Sequence, residues 1–260
     1  MDLRLAGRSV LVTGGSKGIG LAIARGFAAE GCKLSLVARS SDQLEQAAAL
    51  IRGAHRVEVR TFALDLSDAA ARDRFVAGCG EIDVLVNNAG SIPAGTIEDI
   101  DDATWRAAWD LKVYGYVAMT RAFFTRMKQR GRGVIINVIG TTGERLDAGY
   151  IAGSSANASL MALTRALGSA SVDAGVRVVG VNPGPVDSDR LESLVKRRAK
   201  ARFGDENRWR EIFMNMPFGR PATPEEIAAT VVFLGSDLSS YTSGAIFTVD
   251  GGLAARSATP

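Results

Sequence analysis

Seven short apolar runs, separated by stretches of helical periodicity, limit what this chain can fold into. They fall at 9–13 (SVLVT), 34–38 (LSLVA), 57–64, 82–90, 133–140 (GVIINVIG), 176–184 (VRVVGVNPG) and 245–252. Most are apolar on successive residues, so both faces of each strand must be covered, and strands joined through helices pair in parallel. Helical patterns run from the loop after the first strand through Ile23 and Phe27, over 41–52, over 103–130 and over 153–172. Asp65-Leu66-Ser67-Asp68 reads as a strand end and helix cap, and Gly131-Arg132-Gly133 ends the first long helix. The expected fold class is α/β: a single doubly wound domain over 1–260 with a seven-stranded parallel sheet. No linker, repeat or low-complexity stretch divides it. One segment stands apart. Residues 188–223, basic and aromatic, lie between the sixth and seventh strands and suit a flap over the carboxyl edge of the sheet.

A chain of 260 residues, 47% hydrophobic and 23% charged, can bury a full core of this kind. Its net charge of +3 is too small to mark a nucleic-acid partner. Cys32 and Cys79 suit a reducing cytoplasm better than a disulfide framework, and the single histidine, His55, gives no metal site. The opening MDLRLAGRSV has no apolar leader, and no run of about 18 apolar residues suggests a membrane span. These readings predict a cytoplasmic globular protein with no metal, nucleic-acid or membrane partner.

The first strand runs into Thr13-Gly14-Gly15-Ser16-Lys17-Gly18-Ile19-Gly20. Gly14 serves a tight turn, Gly18 lets the backbone approach a diphosphate, and Gly20 lets the helix pack close to the strand. The helix amino terminus supplies N–H donors and partial positive charge. Lying after a strand and before a helix, the loop has the context a dinucleotide site needs.

With Asn87-Asn88-Ala89-Gly90, the Pro183-Gly184 turn and the VDGG at 249–252, this loop resembles the short-chain dehydrogenase/reductase family over about residues 5–252. The resemblance implies a Rossmann-type sheet and a nicotinamide dinucleotide cofactor. It also implies oxidoreductase activity on a small carbonyl or alcohol, and a homodimer or homotetramer built on the two long helices. Ser16, Ile19, Ser40, Leu66, Ala89, Val186 and the Pro183-Gly184 turn would line the cofactor by the same resemblance, with Asn87 and Gly90. Asp65 would contact the adenine and Ser188 the nicotinamide carboxamide. An acid at the end of the second strand selects NAD(H). Arg39 stands there instead, and Lys17 faces the same ribose in the family pattern. Two cations and no acid favour NADP(H) over NAD(H), because a 2′-phosphate forms charge-assisted hydrogen bonds with arginine.

The family's chemistry uses a serine, a tyrosine with a lysine four residues later, and an asparagine on the preceding long helix. No Tyr-x-x-x-Lys occurs in this chain: the residues four after Tyr114, Tyr116, Tyr150 and Tyr241 are Ala118, Thr120, Ser154 and Ala245. Anchored on NVIG and SLMALTRALG, the serine position falls on Gly140, the tyrosine on Gly153, the lysine on Asn157 and the asparagine on Lys112. Lysine and asparagine look exchanged. Tyr150 precedes Gly153 by three residues, which on a helix keeps it on the same face, about 5 Å toward the amino end. Thr141 follows Gly140 directly. One reading is an atypical short-chain oxidoreductase with a relocated site: Tyr150 as proton donor, Lys112 as its electrostatic partner, Asn157 on the ribose and Thr141 as carbonyl donor. The competing reading is a non-catalytic NADP(H)-binding or sensing protein. There Tyr150 only caps and packs the helix, and Lys112 reaches solvent or pairs with Glu144 or Asp147.

The flap carries Lys196, Arg197, Arg198, Lys200, Arg202, Arg208, Arg210 and Arg220 beside Phe203, Trp209, Phe213, Met214, Met216 and Phe218. It reads either as a cover for an anionic or thioester substrate or as a solvated face with an apolar underside.

Overall fold

The strands are β1 (Ser9–Thr13), β2 (Lys33–Ala38), β3 (Val59–Ala63), β4 (Val84–Asn87), β5 (Gly133–Val138), β6 (Val176–Pro183) and β7 (Ile246–Val249). They form one parallel sheet in the order β3-β2-β1-β4-β5-β6-β7, as the alternation of apolar runs and helices requires. The computed structural model describes residues 2–214 and 216–256; the side chains of Arg190, Arg197, Arg198 and Ala201 lie outside that description.

Side chains alternate between two cores with the strand period of two. Val10, Val12, Val84, Val86, Ile136 and Val138 face one core, with the helices α1 (Gly18–Ala29), α2 (Ser41–Ala54) and the late helix 224–235. Leu11, Leu85 and Ile135 face the other, where Phe75, Met119, Phe123 and Met127 cover them. That second layer consists of α3 (Ala69–Gly78), α4 (Asp102–Trp109), α5 (Gly115–Arg130) and α6 (Ile151–Ser171). The helix expected over 103–130 is not regular throughout. A π turn at Asp110–Tyr114 joins α4 to α5, with the Gly115 N–H bonding to the Asp110 carbonyl. One extra residue in a turn re-aims every side chain after it, and such turns favour functional sites.

A buried polar chain fixes α5 and α6 to the sheet. Asn87 Nδ2 donates to Thr120 Oγ1 at 3.0 Å and to Asn137 Oδ1 at 2.9 Å, and Asn137 Nδ2 donates to Thr164 Oγ1 at 2.9 Å. The flap leaves β6, runs through α7 (Asp189–Phe203) and α8 (Trp209–Phe213), and returns before α9 (Pro224–Gly235). Its neck is a short parallel bridge, with Ala222 N–H donating to Pro185 O at 2.9 Å and Asp187 N–H to Ala222 O at 2.8 Å. Among the described residues no helix is long and apolar enough to cross a membrane, and no group of acids, histidines and cysteines is placed to hold a metal.

Candidate functional site

The chain winds outward from β1 to β3, returns to β4 and continues to β7, so β1 and β4 flank the crevice where such sheets take ligands. Thr13 and Asn88 stitch that crevice. Thr13 Oγ1 accepts from the N–H groups of Asn88 (2.8 Å) and Ala89 (3.0 Å), and Asn88 Nδ2 donates to Thr13 O at 3.0 Å. Gly14 turns with φ 69°, and a Cβ on Gly20 would run into its carbonyl oxygen. Gly18 has φ 55° and nothing within 4 Å of the place a Cβ would take, so its face is open. Side chains of Ser40, Asp68, Asp101, Ser188 and Thr223 cap α2, α3, α4, α7 and α9. Helix α1 has no side-chain cap and no acid in its first turn. Its leading N–H groups and partial charge are left for an anion, and the diphosphate of a dinucleotide fits this cradle.

Lys17 and Arg39 are both exposed beside this loop. Burial raises the Asp65 pKa, but hydrogen bonds from Ser67 N–H (2.9 Å) and Oγ (2.7 Å) and the Arg39 charge outweigh it. The carboxyl therefore sits below its ordinary value. Among the other lining candidates, Ser40 and Ser188 spend their hydroxyls on helix caps, and the Asn87 side chain is turned into the core. The Gly184 N–H donates to Val249 O at 3.0 Å, so the Pro183-Gly184 turn is tied to β7. Val186 belongs to the flap's neck.

Lys112, Asn157 and Thr141 lie about the turn that follows β5, and Tyr150 stands at the start of α6. Lys112 lies on the π turn, its stem against Gly90, where a Cβ would stand 3.0 Å from the Lys112 Cδ. Its Nζ donates to Ile139 O at 2.7 Å. Asn157, 3% exposed, donates from Nδ2 to Thr142 Oγ1 at 2.7 Å, and its Oδ1 has no hydrogen-bond partner among the described residues. The same Nδ2 stands 2.8 Å from where a Cβ on Gly140 would be. Lys112 thus reaches Ile139 while Asn157 reaches the next residue. A buried acceptor with no donor suits a hydroxyl arriving with a ligand, and the ribose of a dinucleotide supplies one.

Tyr150 is not on a helix face about one turn from Gly153, as the relocated-site reading expects, but at the helix start, as the competing reading expects. It is the N-cap of α6, with φ −138° and ψ 44°, and a backbone bridge to Gly95 holds it outside the helix. Its ring folds back onto Gly153, where a Cβ would run into Cε1 and Cζ. The ring therefore occupies the point where a side chain at 153 would begin. Its hydroxyl is set back toward the helix compared with that of a tyrosine rooted at 153. Tyr116 is not an alternative: it is 2% exposed, its hydroxyl donates to Val138 O at 2.8 Å, and burial pushes its phenol up. Tyr114 and Tyr241 are on the surface. Thr141 opens a 3-10 turn, 9% exposed, its carbonyl accepting from Glu144 N–H and Arg145 N–H. Glu144 receives the Thr248 hydroxyl at 2.9 Å. Sequence reasoning passed over Thr142, the half-buried hydroxyl that touches Asn157; the adjacent threonines at 141 and 142 were the only hint.

A family model described as short chain dehydrogenase matches residues 8–199. The chain belongs to the short-chain dehydrogenase/reductase family. Galactitol 2-dehydrogenase (L-tagatose-forming) of Cereibacter sphaeroides is 36% identical to this oxidoreductase-family chain over 255 residues, covering 96% of each. The L-sorbose reductase of Gluconobacter frateurii, solved with NADPH and L-sorbose, superposes with a TM-score of 0.90 at 32% identity, covering 97% of this chain and 98% of that one. An NAD+-bound xylitol dehydrogenase gives a TM-score of 0.88 at 26% identity, covering 96% of this chain and all of that one. Structural neighbours of this fold thus include complexes with either dinucleotide.

Proposed function

We propose that this short-chain dehydrogenase/reductase interconverts a carbonyl and an alcohol with NADP(H), through a rearranged catalytic site. The observation that carries the reading is the Tyr150 ring lying on Gly153, which supports a phenol delivered to the family's site from a neighbouring residue. The bound nicotinamide supplies or takes up the hydride. Tyr150 gives the carbonyl oxygen its proton, and the Lys112 ammonium favours the phenolate left behind. Asn157 Oδ1 accepts from a ribose hydroxyl, and the turn at 141–143 offers a hydroxyl to the carbonyl, with Thr141 the candidate from sequence. Arg39 and Lys17 favour the 2′-phosphate.

An uncharged substrate suits the flap better than an anionic or thioester one. Lys196, Arg208 and Arg220 already pair with Glu192, Glu211 and Glu226 at 2.6–2.8 Å, and Arg210 lies over the Trp209 ring. The substrates named for the polyol and ketose relatives support the same class. As in the family pattern, α5 and α6 serve as the faces of a homodimer or homotetramer.

The set-back hydroxyl of Tyr150 favours a second reading, a non-catalytic NADP(H)-binding protein, because general acid catalysis needs hydrogen-bond reach. Single-turnover loss of NADPH fluorescence against a panel of ketones and aldehydes separates the two. Oxidation that disappears in Tyr150→Phe is expected. Tight NADPH binding with no oxidation of any substrate supports the second reading instead.

A further inference from the structure

Gly140 stands where the family's carbonyl-polarising serine is expected, and its backbone accounts for the missing side chain. With φ 141° and ψ 143° it occupies a region close to one that only glycine enters without strain. A Cβ there would also press on the Asn157 amide at 2.8 Å. A serine at 140 would be strained while this turn is kept, which directs the search for a carbonyl hydroxyl to the neighbouring residues.

Two threonines follow, and their surroundings differ. Thr141 is 9% exposed at the base of the turn. Thr142 is half-buried, and its Oγ1 accepts from Asn157 Nδ2 at 2.7 Å. That same nitrogen lies beside the point where the serine's Cβ would be, so the Thr142 hydroxyl and the absent side chain share a neighbour. A hydroxyl has one proton to give and two lone pairs. With the amide N–H on one lone pair, the Thr142 proton remains free to donate. In this pairing the nitrogen is committed to Thr142, and Oδ1 is the atom left without a partner among the described residues.

We infer that Thr142, held by Asn157, is the residue that hydrogen-bonds the substrate oxygen, in the role expected of a serine at 140 and in place of Thr141. The inference rests on the oxidoreductase reading above. Thr142 itself neither gains nor loses a proton. The proton that ends on the substrate oxygen comes from Tyr150, the hydride that ends on carbon comes from the reduced dinucleotide, and the C=O π bond is the one that breaks. The dinucleotide is oxidised, the carbonyl is reduced, and solvent returns a proton to Tyr150.

The test compares full-length wild type with Thr142→Val, Thr142→Ser and Thr141→Val. NADPH oxidation is followed with L-sorbose and a ketone panel, NADPH Kd by fluorescence, and folding by Tm. Removing one donor to a developing oxyanion lowers kcat by about 10²–10³-fold. That loss is expected in Thr142→Val, with Thr142→Ser restoring it, a smaller loss in Thr141→Val, and every variant still binding NADPH within about tenfold of wild type. A Thr142→Val enzyme that keeps the wild-type rate, or a loss that appears in Thr141→Val instead, overturns the assignment and leaves the oxidoreductase reading standing. A wild type that binds NADPH and reduces nothing overturns both.

Discussion

The Gly153→Ala substitution isolates the contribution of Tyr150. The added methyl would meet Tyr150 Cδ1 at 2.5 Å and the rest of the ring edge closer still. Carbon contacts settle near 3.5–4.0 Å, so the ring has to move by roughly 1 Å or more. Overpacking of this kind costs about 1–3 kcal/mol. Alanine recovers at most ~1 kcal/mol over glycine within a helix, and less in the first turn. The net loss is then about 0–3 kcal/mol, which for a chain of this size lowers Tm by no more than about 12 °C. Misplacing a catalytic group by about 1 Å costs on the order of 10²-fold in rate. Gly153→Ala is therefore expected to remain folded, to bind NADPH within about threefold of wild type, and to lose on the order of 10²-fold in kcat/KM. Adding Tyr150→Phe should cost little more, because both changes remove the same interaction. The measurements are steady-state NADPH oxidation, fluorescence titration and thermal melting of the two single variants and the double. A Gly153→Ala enzyme with lowered Tm and undiminished kcat/KM would show that the ring position has no part in proton transfer, and the reasoning would fail.

Arg39→Ala should weaken NADPH binding by about tenfold at low salt, the low end for a charged hydrogen bond because the arginine is exposed, and leave NADH affinity within about twofold. Equal losses for both dinucleotides would remove Arg39 from the 2′-phosphate. Arg177, 9% exposed, donates to Ser239 Oγ and to the Leu234 and Ser236 carbonyls, each at 2.9 Å. Arg177→Met removes the charged donor from each of these groups, the two carbonyls keeping Ser239 as their other partner, and should cost about 2–5 kcal/mol in chemical denaturation; a shift under about 1 kcal/mol would mean that the segment at 234–242 holds without it. Hydrogen bonding from Arg220, then from Thr223 N–H, pushes the Glu226 carboxyl down from 4.5 to about 2. A pKa lowered on folding gives stability that is present above the unfolded value and lost as pH falls through the folded one, here between 4.5 and about 2. Arg220→Gln should move acid unfolding to higher pH, and an unchanged acid transition would refute the coupling.

Periodicity made the sheet legible in the sequence. Residues 9–13 and 133–138 are apolar on both faces, and only a layer of helices on each side satisfies that pattern. The dinucleotide loop was legible because its glycines answer local demands, a positive φ at Gly14 and a backbone approach at Gly20. The catalytic end was less so, since its geometry depends on features with no compositional signal. A π turn at Asp110–Tyr114 adds a residue to the turn that carries Lys112. A bridge between Gly95 and Tyr150, residues far apart in the chain, holds Tyr150 out of the helix that spacing alone assigned to it. Neither contact leaves a mark at the residues it moves.

Three glycines each face one of the candidate residues. A Cβ on Gly90 would crowd the Lys112 stem, one on Gly140 would press on the Asn157 amide, and one on Gly153 would run into the Tyr150 ring. Each candidate residue leans on a glycine that has no side chain to give way. Steric fit ties each pair, since a tyrosine at 153 and the present Tyr150 ring cannot occupy the same space. Substituting one family residue back into this chain would therefore displace a residue already seated there. Gly153→Tyr alone is expected to expel the Tyr150 ring and fail. Combined with Tyr150→Ala and Asn157→Lys it is expected to place a tyrosine and lysine four residues apart on α6 without the clash at 153. Turnover by the triple variant that exceeds Gly153→Tyr, measured as NADPH oxidation against the same ketones, is the outcome this packing argument requires; parity between the two variants would break it.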